Sequence, residues 1–144
     1  MFDLLAPKNP TLEIARKRLG GKASRSSHMG SVVRILDDRP VVGIVLHGKG
    51  DDLDVLLGSA MVRRTKLELT EPASEEEVDA MLLAEVRLFA SLEVGARVRF
   101  ADKDGSAVGL LVEKCRWGAL VAKDDGKILA IGFRKLWPLP QAEA

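Results

Sequence analysis

The sequence is poor in the residues that most often carry chemistry. It has one cysteine, two histidines and no tyrosine, and its aromatic side chains are four Phe and two Trp, 4% of 144 residues. A single cysteine, Cys115, excludes an internal disulfide and fits a reducing compartment, so a cytoplasmic location is expected. His28 and His47 lie far apart with no carboxylate at a telling spacing, and a metal site built from them and Cys115 is not expected. The motifs G-x-S-x-G, G-x-x-x-x-G-K-[ST] and H-E-x-x-H are absent. Asp51, Asp52 and Asp54 cluster, but without the spacing or the distal Glu of a calcium loop. No apolar run approaches the roughly 18 residues that span a membrane. MFDLLAPKNP lacks the basic segment and apolar stretch of a signal peptide. These absences point away from an enzyme, and no cofactor is expected.

What is present is a chain that can fold and whose charge is segregated. Apolar residues make up 47%, enough for a core. Net charge is only +1. Residues 1–34 carry seven basic and two acidic side chains, residues 35–95 six and thirteen, and residues 96–144 nine and six. A basic arm, an acidic middle and a mildly basic end is a pattern that can mark a nucleic-acid contact, or simply a segregated solvated surface.

TLEIARKRLGG (11–21) reads as a short helix capped by Thr11 and stopped by Gly20 and Gly21. KASRSSHMG (22–30) reads as a linker. Strands are expected at 32–36, 41–48, 53–58 and 60–70, with turns at Asp37–Pro40 and Lys49–Asp52. Ser74-Glu75-Glu76-Glu77 is a capping box, and Val78, Met81, Leu82, Val86, Phe89 and Leu92 form one apolar stripe. Together they predict a single amphipathic helix over 74–92, about five turns long. Strands follow at 96–101, 106–114, 119–123 and 127–133, joined by the Asp104-Gly105 and Asp125-Gly126 turns, with a short 3₁₀ turn near 134–138.

The two strand-rich stretches align. Val33-Arg34-Ile35 matches Val98-Arg99-Phe100, Gly43-Ile44-Val45-Leu46 matches Gly109-Leu110-Leu111-Val112, and Leu67 matches Phe133. Val55-Leu56-Leu57 is set against Leu120-Val121-Ala122, and both stretches close on proline, Pro72 and Pro138. The near-constant offset of 65 or 66 residues indicates a duplicated unit.

The pattern V-G-x-x-V-x-F, turn, G-x-L-V-E over 94–113 resembles the SH3-like small barrels, including the KOW-type modules of nucleic-acid-associated proteins. The resemblance implies a mainly β chain: two tandem SH3-like barrels bridged by one amphipathic α-helix and preceded by a basic N-terminal arm. The expected division is 1–30 arm, 31–72 first barrel, 73–93 helix and 94–140 second barrel. Asp104-Gly105-Ser106-Ala107-Val108-Gly109 also resembles the D-x-S-x-x-G signature of PilZ domains, which bind cyclic-di-GMP. The R-x-x-x-R phosphate clamp of that family has no counterpart here, and the Asp-Gly pair is what a hairpin turn requires.

A non-enzymatic binding module is therefore expected, with nucleic acid as the first partner and a protein, a second copy of the chain included, as the alternative. The candidate nucleic-acid contacts are Arg16, Lys17 and Arg18 in the arm, Arg97 and Arg99 on one strand face, Lys114, Arg116 and Trp117 in one turn, and Arg134 and Lys135 beside Trp137 in another. The competing reading is that Trp117 and Trp137 plug the barrel ends.

Overall fold

The computed structural model describes residues 10–23, 28–58, 61–102 and 105–139. The start of the arm, Arg25 in the linker, Ala60 and Asp104 of the PilZ-like motif lie outside the described residues.

Helix α1 (Pro10–Arg18) ends in a glycine pair, as the sequence requires. Gly20 N donates to Lys17 O and Gly21 N to Arg16 O, at 3.2 and 2.8 Å, the two bonds of a Schellman motif. Both glycines take positive φ, +82° and +90°. Because the helix already includes Pro10, Thr11 lies inside the first turn rather than at the cap.

Among the described residues ten strands follow in two sets of five: β1 (Val32–Ile35), β2 (Val41–Lys49), β3 (Asp52–Leu57), β4 (Met61–Lys66) and β5 (Thr70–Pro72), then β6 (Arg97–Asp102), β7 (Gly105–Cys115), β8 (Gly118–Ala122), β9 (Ile128–Gly132) and β10 (Leu136–Pro138). The sheets are antiparallel, with orders β4-β3-β2-β1-β5 and β10-β6-β7-β8-β9. These are the same order. In each, the last strand crosses over to pair with the first. Among the described residues the pairings run from one edge strand to the other, and none closes either sheet into a barrel.

The duplication extends to fine detail. Both second strands carry a bulge at the same place, between Val45 and His47 and between Leu111 and Glu113. Gly43 and Gly109 occupy matching positions for the same reason. A Cβ on either would sit 2.6 Å from a carbonyl oxygen of the facing strand, Leu56 or Ala122. The repeat also starts earlier than expected. Gly30 N donates to Val45 O and Gly95 N to Leu111 O, both at 2.8 Å, and both glycines have positive φ. One correction follows from the registers. Val45 pairs with Val55 and Leu111 with Val121, so Val55 is equivalent to Val121, not Leu120.

Two further expectations are corrected. The strand foreseen over 60–70 stops at Lys66. Leu67–Leu69 form a 3₁₀ turn, held by Leu67 N on Asp51 O and by the Thr70 hydroxyl donating to Leu67 O, both at 2.7 Å. That turn carries the chain to the other side of β1. The single helix over 74–92 is in fact two pieces. The Ser74 capping box closes a 3₁₀ turn, Glu75–Glu77. Val78 is then extended (φ −122°, ψ 163°), and Asp79 caps a new helix, α2 (Ala80–Ser91), accepting from Met81 N and Leu82 N. A second capping residue five positions after the first outcompetes helix continuity.

Burial explains how the pieces assemble. The inner face of the first sheet makes its own cluster from Val33, Ile35, Val45, Leu53 and Val55. Its outer face, Val32, Ile44, Leu46 and Leu56, joins Leu82, Leu83, Val86 and Phe89 of α2 and the inner face of the second sheet, Val98, Phe100, Leu111 and Val121. The outer face of the second sheet is covered in part by α1, through Leu12 and Leu19 against Cys115 and Leu120. The helix of the basic segment is thus docked on the second repeat.

Gly43→Ala and Gly109→Ala are each expected to lower the unfolding free energy by roughly 1–3 kcal/mol through overpacking. Gly132→Ala, with negative φ and open space around the added methyl, should be near neutral. Urea midpoints of the three variants check this. Equal midpoints would refute the close-approach account.

Candidate functional site

Three candidates are tied into the fold by specific contacts. Arg16 donates from Nε and Nη2 to both oxygens of Glu113, at 2.6 and 3.1 Å, in a half-buried pair joining α1 to β7. The Glu113 hydrogen bond holds the guanidinium above its ordinary pKa. Lys114 donates to Phe89 O at 2.9 Å and lies 4.6 Å above the Phe89 ring centre. Its pKa is lowered by burial, partly offset by Glu93. Trp117 lies flat against Gly20, whose missing Cβ would be 2.8 Å from the ring. Its backbone is pinned by Trp117 N to Leu19 O and Phe133 N to Trp117 O.

The remaining candidates other than Lys17 gather in two places. The first is the seam between the repeats. One cleft of about 370 Å³ is lined by Leu46, Leu56 and Val62 of the first sheet and by Trp117 and Phe133, in turns of the second repeat. Arg18, Arg134 and Lys135 stand around it. They come from the end of α1 and from the 3₁₀ turn Phe133–Lys135, so packing rather than sequence proximity brings them together. Arg18 and Lys135 are exposed, and Arg134 reaches Glu85 at 3.2 Å. Lys17, also exposed, lies next to Arg18 in the chain but does not line the cleft.

A second cleft of about 500 Å³ shares Leu46 and is lined by His28, His47, Phe89, Lys114, Cys115 and Arg116. His47 is one of the two histidines that the sequence leaves without a partner carboxylate at a telling spacing. It lies inside β2, buried, opposite buried Asp54. Asp54 receives Arg64 at 3.1 Å from its own sheet and Arg116 at 3.4 Å from the other repeat. This polar contact across the seam was not foreseen. Its sequence signal was two polar residues, His47 and Asp54, inside strands whose other charged residues, Lys49 and Asp52, stand at the strand ends.

The second place is the outer face of β6. Arg97 and Arg99 alternate with Val98 and Phe100, which are fully buried, so both arginines face outward. Trp137 pairs with Arg99 and Leu110 with Arg97 across the sheet, and both are exposed, at 39% and 43%.

Cys115 is buried, and burial pushes its thiol up to about 12. Among the described residues no cluster of three or more His, Cys, Asp or Glu could hold a metal, and no helix is long and apolar enough to cross a membrane.

No protein-family model and no curated protein matches the chain. Among solved structures it is similar to the tandem Agenet domains 3–4 of ADCP1, at 15% identity over 91% of this chain and 88% of that one, with a TM-score of 0.32. It is also similar to the AGD34 segment of AGDP1 from Arabidopsis thaliana, at 16% identity over 89% and 90%, with a TM-score of 0.32.

Cys115 should react with a disulfide-exchange reagent only on unfolding. The folded thiol keeps its proton to about 12, against 9.0 for the ordinary group. The folded state therefore binds more protons across that window, and stability falls as pH rises through it. Denaturant midpoints measured below and above pH 9 should drop more for the native chain than for Cys115→Ala. An equal drop would show that the thiol is not protected.

Proposed function

We propose that the chain is a non-enzymatic binding module of two SH3-like units whose partner is nucleic acid, held at the seam between the repeats. The observation that carries the reading is the convergence of Arg18, Arg134 and Lys135 around an apolar cleft floored by Trp117, Phe133 and Leu46. Cations at the rim suit phosphates, and an apolar floor suits the face of a base. The same rim disfavours a cationic ligand. The buried, protonated Cys115 nearby offers no nucleophile. Lys17, Arg97 and Arg99 are exposed cations outside this cleft.

Binding of labelled single- and double-stranded oligonucleotides across a salt series tests the proposal. Affinity should fall as salt rises. The triple variant Arg18→Ala, Arg134→Ala, Lys135→Ala should flatten the log–log slope by about 0.7–0.9 per lost phosphate contact. Absence of binding at low salt, or an unchanged slope in the variant, would refute it.

A further inference from the structure

The duplication allows each surface of one repeat to be compared with its counterpart in the other. On the outer face of the first sheet, Met29, Val32 and Ile44 pack into the cluster that α2 completes. Arg34, on the same sheet, donates to Glu71 beside it at 2.8 Å and to Glu77, in the turn leading to α2, at 2.9 and 3.0 Å. Arg87 of α2 donates to Gly30 O at 3.3 Å. That face therefore receives an amphipathic helix with an acidic leading turn, Glu75–Glu77.

The registers fix the counterparts in the second repeat. Met29, Gly30 and Val32 correspond to Val94, Gly95 and Arg97, Arg34 to Arg99, Ile44 to Leu110 and Glu71 to Trp137. Helix α1 covers only the neighbouring part of this face, over Val112, Leu120 and Ile128. Ile44 is 1% exposed and Leu110 43%; Val94 and Trp137 are 62% and 39% exposed. Of the three apolar positions that meet a helix in the first repeat, Met29 and Ile44 have apolar counterparts that face solvent in the second, Val94 and Leu110, and Val32 is replaced by Arg97. The two repeats also differ in charge. Where the first has Val32 and Glu71, the second has Arg97 and Trp137, which makes this face more positive.

We infer that the face formed by Val94, Arg97, Arg99, Leu110 and Trp137 is a docking surface for a partner protein's amphipathic helix with an acidic first turn. The occupant is identified by what covers the equivalent surface in the same molecule, and by the complementarity of its acidic turn to Arg97 and Arg99. Trp137 supplies the large amphipathic anchor that such interfaces favour. This surface is separate from the seam cleft, so the inference stands apart from the nucleic-acid reading.

The probe is a synthetic peptide of residues 73–92 of this chain, ASEEEVDAMLLAEVRLFASL, titrated onto the full-length isotopically labelled protein. Saturable shifts are expected at the Trp137 indole, assigned with Trp137→Phe, and at the Leu110 and Arg97 amides, with the Trp117 indole unmoved. Leu110→Lys and the pair Arg97→Glu, Arg99→Glu change exposed side chains and should weaken binding about tenfold or more, with circular dichroism unchanged. A scrambled peptide should not bind. Three outcomes overturn the inference: no saturable shift, shifts confined to Val32 and Ile44 because the peptide exchanges with α2, or binding indifferent to the variants. If the Arg97/Arg99 reversal abolishes oligonucleotide binding while the peptide does not bind, the face serves nucleic acid and the inference fails. Loss of oligonucleotide binding in the Arg18/Arg134/Lys135 variant alone would leave it intact.

Discussion

The molecule depends on the burial of Val86 and Phe89. These side chains, 0% and 1% exposed, belong to one cluster with the outer face of the first sheet and the inner face of the second. Each fully buried apolar side chain of this size contributes about 1.5–3 kcal/mol. A five-stranded sheet of about 40 residues has a thin core of its own, and among the described residues the inner cluster of the first repeat is formed by buried Val33, Ile35, Val45, Leu53 and Val55. Both of its faces are apolar, so it is incomplete without α2. The seam, its clefts and the placement of Arg18, Arg134 and Lys135 all follow from that packing.

Much of the fold could be read from the sequence because duplication repeats its constraints. Gly43 and Gly109, each required by close approach to a facing carbonyl, mark the alignment, and Pro72 and Pro138 close it. The register of β3 against β8 could not be read. The aligned segments Val55–Leu57 and Leu120–Ala122 are apolar on both faces, so alternation within them carries no phase and the slip to Leu120 leaves no mark. The break in the helix was hidden because Val78 fits the apolar stripe. Only Asp79, an ordinary acidic residue in sequence, reveals the second cap.

The site was legible as composition but not as geometry. Positive charge near tryptophan was visible, yet nothing local distinguishes Arg18, which rims a cleft, from Arg16, which Glu113 holds across 97 residues of chain. Likewise Arg116 reads as a surface cation until Asp54, 62 residues away, is placed beside it. Partners that distant are set by tertiary packing, and a local reading has no access to them.

The docking of α1 on the second repeat has a consequence for biosynthesis. Trp117 N bonds to Leu19 O, and Arg16 reaches Glu113, so the first helix emerges long before its partners do. The first sheet emerges next, with Val32, Ile44, Leu46 and Leu56 uncovered until α2 follows. A growing chain therefore exposes a helix and an apolar sheet face that the later half alone can cover. The high sequence separation of these contacts raises the entropic cost of closing the N-terminal segment onto the second repeat. Domain-by-domain completion, which tandem repeats ordinarily permit, is replaced here by a fold that becomes whole only when its last third has been made.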